Sequence, residues 1–474
     1  MLSVNTITTK KTSLLTVQRI GFCVILIAAS LTITIQGFGQ DNSPYSRYGL
    51  GDMVPSTNMN SRGMGGISAA YSDILSINFN NPASYGSFQT LKEQTAKKIA
   101  RGRAILDIGL NFENRSLTEP NNTEKFTASN ALFSHVQVGF PIRPNLGLSF
   151  GLRPLTRISY RMNSIEGLFD PNTGNYIDTA LTLNEGNGGS YLASLGLGQR
   201  IQFSKTKIHS LSIGVNGGYM FGKQDYSVRR SLFNDTVTYT SGNFQTTTSF
   251  GNIYFNTGMQ YQVEVKRNLV LSLGAYGNWQ QDLKASRDVV RETYVFDESA
   301  GNVRIDSVLD QRNIKGTIVY PSSYTAGFVL EKMVTAKEPG WLIGVDYSQS
   351  KWSDYRVYGQ ADPSAKDKWE LRAGVQLRPV PKPNYFSNVT YRAGAFFGPD
   401  YIHVNTKLPV FGATFGMGLP LRNFSRQSEQ YTLINLGFEF IKRGNNDNVL
   451  KENLFRISAG FSLSDVWFIK RRYE

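Results

Sequence analysis

The chain has 474 residues, a formal net charge of +14, 45 glycines and 12% aromatic residues. Its only cysteine, Cys23, lies near the start, which excludes a disulfide framework and a thiolate metal site in the rest of the chain. The basic residues are scattered, so we expect a membrane with anionic headgroups as the partner and no nucleic acid.

The first residues predict a secretory signal peptide over residues 1–39. Basic residues up to Arg19 precede an uncharged apolar run at 20–35, and Gly39 suits a small-residue cleavage site. The alternative is an uncleaved membrane anchor. That run is shorter than the roughly 18 to 20 residues that span a bilayer as a helix, so we favour the signal peptide.

Residues 40–100 form a polar, glycine-rich segment without a sustained hydrophobic period. Near its end lies Asn81-Pro82-Ala83, where proline cannot extend a sheet and the preceding asparagine is biased away from the α conformation. The three residues therefore predict a rigid turn.

Residues 101–474 predict β-strands. From Ile253 to Val263 apolar side chains recur at alternate positions, and the same period of two returns between Phe455 and Leu463. We place the strands at 103–114, 128–140, 145–161, 189–202, 207–225, 245–264, 268–283, 322–334, 340–355, 368–378, 388–398, 408–419, 430–441 and 453–472.

The connections between these strands favour a membrane barrel over a soluble sandwich. Short connections such as 141–145 and 266–268 alternate with long ones such as 162–188 and 284–321. Short turns at one end, long loops at the other and an even strand count are typical of bacterial outer-membrane barrels. The predicted fold is all-β, an antiparallel transmembrane barrel of fourteen strands in the outer membrane. A barrel of this width needs filling, so residues 40–100 are expected to enter the lumen as a hatch.

The sequence here resembles the outer-membrane long-chain fatty acid transporter family (FadL/TodX type). The resemblance rests on RGMGGISAAYSD at 62–73, on the Asn-Pro-Ala at 81–83 and on KWSDY at 351–355. It implies a hatch-plugged barrel of fourteen strands that takes up hydrophobic small molecules, long-chain fatty acids among them. Ligands would leave sideways through a kink in a wall strand.

The resemblance gives candidate ligand-binding or gating residues. Asn81, Pro82 and Ala83 would hold the hatch against the wall, although they could also simply end its fold with a turn. Pro154, inside a predicted strand, is the candidate wall defect, or an ordinary bulge. Trp352 is interpreted as a membrane-interface aromatic, with ligand contact as the alternative.

The sequence predicts no enzyme. His135, His209 and His403 are the only histidines, none lies near a G-x-S-x-G motif, and no pair has metal-ligand spacing. We therefore expect no catalytic residue, no metal and no cofactor.

The sequence is compatible with two main functions. The first is passive uptake of a hydrophobic small molecule. The second is an adaptor that transports nothing and binds a partner protein through its long extracellular loops, as relatives of this architecture do in type IX protein secretion. The lumen-facing positions are largely polar apart from Tyr254, Tyr276 and Leu433, which keeps the adaptor under consideration. An open porin fits poorly with a plug.

Overall fold

The computed structural model describes residues 43–90, 102–120, 122, 124–204, 208–233, 239–297, 299, 301–421 and 430–467. The wall of the barrel consists of fourteen strands. They are β1 (Gly102–Thr118), β2 (Lys125–Arg143), β3 (Leu146–Phe169), β4 (Tyr176–Gln202), β5 (His209–Phe233), β6 (Ser241–Lys266), β7 (Leu269–Asn278 and Gln281–Asp297), β8 (Gly301–Tyr320 and Ser323–Lys332), β9 (Gly340–Ser350), β10 (Lys368–Arg378), β11 (Thr390–Pro399), β12 (Pro409–Leu421), β13 (Tyr431–Arg443) and β14 (Lys451–Trp467).

Consecutive strands pair antiparallel, and β14 pairs with β1 from Lys451 opposite Thr118 to Trp467 opposite Gly102. This pairing closes the barrel and confirms the predicted all-β fold of fourteen strands. Tight connections include the one between β2 and β3, where Asn145 has a φ of 64°, and the one between β6 and β7, where Asn268 has a φ of 65°. Asparagine tolerates this left-handed conformation, which the tight turn requires.

The remaining regular elements are short. They are the strands Asp52–Met53, Arg356–Val357 and Gln360–Ala361, the helical turn Met59–Arg62, and the 3₁₀ turns Pro44–Arg47, Pro82–Ser87, Trp352–Asp354 and Tyr385–Asn388. No helix in the described part of the chain is long and apolar enough to cross a membrane.

Alternate residues of each wall strand point to opposite faces of the wall. The outward-facing residues are mainly apolar, and the inward-facing residues are mainly polar. In β1, Leu110 and Phe112 are exposed on the outside, whereas Asn111 and Glu113 are buried on the inside. Exposed outward-facing side chains recur around the barrel, among them Phe150, Leu195, Ile213, Met259, Leu273, Phe328, Ile343, Val375, Phe411 and Phe461. An outer apolar surface on a closed barrel is what lipid requires, so the protein is an outer-membrane barrel.

The prediction of long loops at 162–188 and 284–321 is wrong, because both ranges consist mostly of β-strand. β3 continues to Phe169 and β4 begins at Tyr176, while the second segment of β7 and the first of β8 form a hairpin from Gln281 to Tyr320. Beyond the membrane neither sheet face must be apolar, so hydrophobic alternation fades although backbone pairing continues.

As a result, six of the fourteen wall strands, β3 to β8, extend beyond the others at the end opposite the short turns. The strands β3 to β6 have 24 to 27 residues, whereas β9 to β13 have 10 to 13. Because 9 to 11 tilted residues suffice to cross a membrane, the upper parts of β3 to β8 form a sheet beyond it. We call this the protruding sheet.

Residues 43–90 lie inside the barrel against the inner wall, and we call them the hatch. Their apolar side chains pack with inward wall residues in buried clusters, for example Ile67 and Tyr71 with Val329 and Leu342. The signal peptide 1–39, and the hatch boundary near residue 100, lie outside the described residues and stay predictions.

Candidate functional site

The barrel wall has a gap between β2 and β3. Their described pairing runs from Arg143 opposite Leu146 to Val136 opposite Leu152 and ends there. Above this point β2 keeps its pairing with β1, and β3 keeps its pairing with β4 up to Phe169 opposite Tyr176. From Arg153 to Phe169, the described strand pairing on this edge of β3 therefore does not include β2.

The first part of the hatch occupies this edge. Asp52 and Met53 pair antiparallel with Arg157 and Thr156 of β3. Below them the amide of Val54 donates to the carbonyl of Leu155 at 3.0 Å. Above them the amide of Ser159 donates to the Ser46 hydroxyl at 3.3 Å. Residues 43–54, which we call the seal segment, thus take the place of a missing wall strand.

A buried ionic cluster fastens the seal segment to the opposite side of the gap. The carboxylate of Asp52 lies 3.0 Å from Arg115 of β1 and 2.8 Å from Arg443 of β13. Glu452 of β14 contacts both guanidinium groups, at 2.6 and 3.2 Å, and accepts a hydrogen bond from Ser43. Burial favours the neutral carboxyl, but Arg443 and then Arg115 outweigh it and hold the pKa of Asp52 below its ordinary value.

The Asn-Pro-Ala turn docks the other end of the hatch onto β6 and β7. The side-chain amide of Asn81 donates to the carbonyl of Ala69 within the hatch at 2.6 Å, and to the wall carbonyls of Met259 at 3.2 Å and Ala275 at 3.4 Å. Its oxygen accepts from the amide of Ala83 at 3.1 Å and caps the 3₁₀ turn that begins at Pro82. One buried side chain therefore joins the hatch to two wall strands.

The wall makes room for this turn with glycines. A Cβ on Gly258 would lie 2.0 Å from the Asn81 oxygen, one on Gly214 would lie 2.4 Å from the carbonyl carbon of Pro82, and one on Gly198 would lie 2.3 Å from the Pro82 oxygen. Any larger residue would push the hatch off the wall.

A cavity of about 290 Å³ lies between the hatch and the wall. Its lining includes Leu155 of β3 and the aromatic residues Tyr254, Tyr320 and Trp352. Those residues belong to a buried apolar cluster that also includes Tyr401 and that closes the long-strand end of the lumen. Trp352 stacks on Tyr401 with ring centroids 4.1 Å apart.

The cavity lining also includes many charged groups. Its lining residues include the cations Arg62, Arg115, Arg153, Lys368, Arg372, Arg443 and Arg456, and the anions Asp52, Glu370, Asp400, Glu439 and Glu452. Most of these groups are paired; Arg456, for instance, lies 2.6 Å from both Glu113 and Glu439.

Two of these buried guanidinium groups donate their described hydrogen bonds to neutral acceptors. Arg62 donates to Asn111, Ser134, Ser458 and the carbonyl of Pro55. Arg153 donates to the carbonyl of Ser56 and to Asn80. Because the acceptors Pro55 and Ser56 are adjacent, the two arginines share one part of the cavity lining.

The structure brings most of the predicted site residues to the hatch–wall boundary. Asn81, Pro82 and Ala83 form the docking turn. Pro154 lies at a register shift in β3 between Pro154 and Thr156, two residues above the last pair of β2 with β3. The membrane-interface position expected for Trp352 is wrong: its side chain is only 2% exposed and lines the cavity, because KWSDY leaves the wall after Ser350 and folds inward.

Sequence reasoning missed the seal segment and its cluster. Asp52 follows a glycine in a stretch without periodicity, and its partners come from strands at both ends of the barrel domain. The available signal was the set of charges at inward positions of predicted strands, such as Glu113 and Arg115, which lipid would not tolerate on the outer face.

The histidines take no part in this site. His135 is fully buried, with Ser134 at 3.2 Å and Asp107 at 3.5 Å, and it does not line the cavity. Among the described residues there is no group of three or more side chains with metal-ligand chemistry.

The closed ladder of fourteen strands and the apolar outer face together define an outer-membrane β-barrel. The model of the BamG family matches residues 19–474, and the chain belongs to that family.

Solved structures of similar architecture include the toluene transporter TodX of P. putida, at 14% identity and a TM-score of 0.49, with 88% of this chain and 100% of that chain covered. A FadL homologue of Pseudomonas aeruginosa is 13% identical with a TM-score of 0.48, covering 88% and 99%. The monoaromatic hydrocarbon channel CymD is 14% identical with a TM-score of 0.46, covering 90% and 100%. A comparison with curated proteins finds no match.

Proposed function

We propose that this barrel admits hydrophobic small molecules into the outer membrane through the gap between β2 and β3, and that the seal segment closes this route at rest. The observation that carries the proposal is the substitution of a wall strand by residues 43–54 of the hatch. A peptide that fills a wall position through a few backbone bonds and one ionic cluster can leave it without breaking the barrel.

The proposed route has three stages. A ligand first parts the aromatic cluster around Trp352 and Tyr401 at the long-strand end, which faces the cell exterior in outer-membrane barrels. It then occupies the cavity, where Leu155 borders the sealed edge of β3. Movement of the seal segment finally opens the wall next to the lipid.

The predicted site residues receive roles in this scheme. The turn Asn81-Pro82-Ala83 anchors the hatch to β6 and β7, so that the seal segment can move while the rest of the hatch stays docked. Pro154 marks the start of the edge of β3 that the seal segment covers, and proline has no amide hydrogen to donate to a neighbouring strand. Trp352 contacts the ligand in the cavity.

An amphiphile with an anionic head, such as a long-chain fatty acid, suits the cavity best. Its apolar part would pack against Tyr254, Tyr320 and Trp352, and its carboxylate would pair with Arg153, whose described hydrogen-bond acceptors are neutral. Charge-assisted hydrogen bonds from guanidinium groups are among the strongest that a carboxylate can accept.

A second function, binding of a partner protein without transport, is favoured by two observations. The inner wall is largely polar and tightly paired, which is unfavourable for an apolar ligand, and the protruding sheet offers a large surface beyond the membrane. A partner in type IX protein secretion would fit this alternative.

Native mass spectrometry of the purified barrel in mild detergent, with organic extraction, tests the proposal. Uptake predicts a stoichiometric hydrophobic compound that is lost from an Asn81→Ala variant. A barrel that carries no small molecule but retains a second polypeptide would overturn uptake in favour of the adaptor.

A further inference from the structure

The protruding sheet has two edges, which differ in how they are built. One edge is the upper part of β3, residues 160–169, where the only described backbone pairing is with β4. The other edge is the first segment of β8, where the described strand pairing of residues 301–316 is with β7 alone. Unpaired amides and carbonyls along an exposed strand bind further strands unless the edge is protected.

The edge of β8 carries the usual protection. Its pairing with β7 is interrupted by three register shifts, between Arg304 and Asp306, between Ser307 and Leu309, and between Gln311 and Ile314. Asn313 adds a positive φ of 58°. Five charged residues lie between Gly301 and Gly316, and the exposed apolar residue Val308 lies among them. Bulges and charges of this kind prevent another strand from aligning.

The edge of β3 lacks these register shifts. From Thr156 to Leu168 it pairs with β4 without a shift, and it contains no proline after Pro154. Ile165 is 74% exposed and Phe169 is 61% exposed, and the stretch 160–169 carries two charged residues, Arg161 and Glu166. A regular, exposed edge with few charges is a template for strand addition.

The same edge already accepts a strand. The carbonyl of Leu155 and the amide of Ser159 both point to the seal segment. Successive residues of a strand alternate in direction, so Arg161, Asn163, Ile165 and Gly167 direct their amides and carbonyls to the same side. The exposed edge is therefore a direct continuation of the hatch interface.

We propose that residues 160–169 of β3 form a strand-addition site for an extended segment of another protein at the cell surface. This inference rests on the second candidate function, partner binding, and names its surface. The segment would have apolar residues at alternate positions to cover Ile165. A second copy fits less well, because β3 runs in the same direction in all copies within one membrane, whereas the hatch strand adds antiparallel.

Hydrogen–deuterium exchange of the full chain tests this assignment. The amides that face the exposed edge are those of Arg161, Asn163, Ile165 and Gly167, whereas the even-numbered residues point to β4 and exchange slowly in any case. Exchange of these four edge amides, resolved by fragmenting peptides from 160–169, is measured in native outer membranes and in liposomes of lipids extracted from those membranes. We expect exchange to be about tenfold slower or more in the native membranes, because ladder hydrogen bonds protect amides. Equal exchange in both preparations would overturn the proposal. So would slow exchange in both, since lipid or the chain's own residues would then cover the edge.

Two variants make the result specific. Asn163→Pro removes one amide on the exposed side and leaves the pairing with β4 intact, and Ile165→Lys adds a charge without changing the backbone. Each should abolish the slow exchange in native membranes, whereas Ile305→Lys on the edge of β8 should not. Slow exchange that survives both β3 variants, or a self-crosslinked dimer of this chain at the edge, would contradict the inference. Uptake of hydrophobic molecules does not enter this readout, so its failure and that of the uptake proposal are distinguishable.

Discussion

Replacing Asn81 by alanine should loosen the hatch. The side chain is fully buried and makes bonds to Ala69 at 2.6 Å, to Met259 at 3.2 Å and from the amide of Ala83 at 3.1 Å. Each neutral hydrogen bond contributes about 1 kcal/mol net, so losing these bonds lowers the free energy of hatch opening by about 3 kcal/mol.

This loss converts to a rate that can be measured. Hatch amides exchange through local opening, so 3 kcal/mol corresponds to exchange about 100-fold faster in peptides from residues 60–90. Hydrogen–deuterium exchange of the wild type and Asn81→Ala in the same detergent gives the ratio. Wall peptides should keep their rates, because the barrel ladder does not depend on Asn81.

Asn114→Ala is the matched control. Asn114 is exposed on β1 and donates to Ser129 of β2 at 2.9 Å, without a described contact to the hatch. Its replacement should leave hatch exchange unchanged. If Asn81→Ala exchanges within about threefold of the wild type, the docking role inferred from these hydrogen bonds is refuted.

Three further predictions concern packing and charge. Gly214→Val should expel the Asn-Pro-Ala turn and expose the hatch to limited proteolysis, whereas Gly437→Ala, whose added Cβ would meet nothing closer than 3.6 Å, should not. Trp352→Ala should weaken the aromatic cluster by about 3–5 kcal/mol, seen as faster exchange in residues 351–367, whereas Trp279→Ala, 63% exposed, should have little effect. The depressed pKa of Asp52 means that its contribution is complete above about pH 4 and is lost as pH falls through its folded-state pKa. Near-ultraviolet circular dichroism should therefore change below about pH 4 in the wild type, and this component should be absent in Asp52→Asn.

The sequence predicted the wall well because lipid constrains it. Alternation such as that from Ile253 to Val263 identifies strands, since each outward position must be apolar, and the short turns with Asn145 and Asn268 identify one end. The same reasoning failed beyond the membrane. There the hairpin from Gln281 to Tyr320 keeps its ladder, but the regular apolar alternation stops after Ala285, so the sequence predicts a loop.

The site was only half predictable. The turn chemistry of Asn81 and Pro82 is local, so the sequence indicates it directly. The contact of Asp52 with Arg443 joins residues 391 positions apart and depends on barrel closure, which no local pattern specifies. For Trp352 the sequence predicts the membrane-facing side, whereas the side chain lies inside the barrel. The strand ends at Ser350, and the 3₁₀ turn that follows places Trp352 in the interior.

A reversible lock on the seal segment tests the central claim most directly. Met53 and Thr156 are paired across the hatch–wall boundary, so Met53→Cys with Thr156→Cys should form a disulfide that fixes the seal. The control pair is Ser231→Cys with Ser241→Cys, whose hydroxyl oxygens lie 2.7 Å apart within the protruding sheet. In proteoliposomes, transfer of a fluorescent long-chain fatty acid into the membrane should fall to the protein-free rate in the oxidised lock and recover on reduction, with no change in the control. Equal transfer by the oxidised and reduced lock would contradict a hatch that opens the wall.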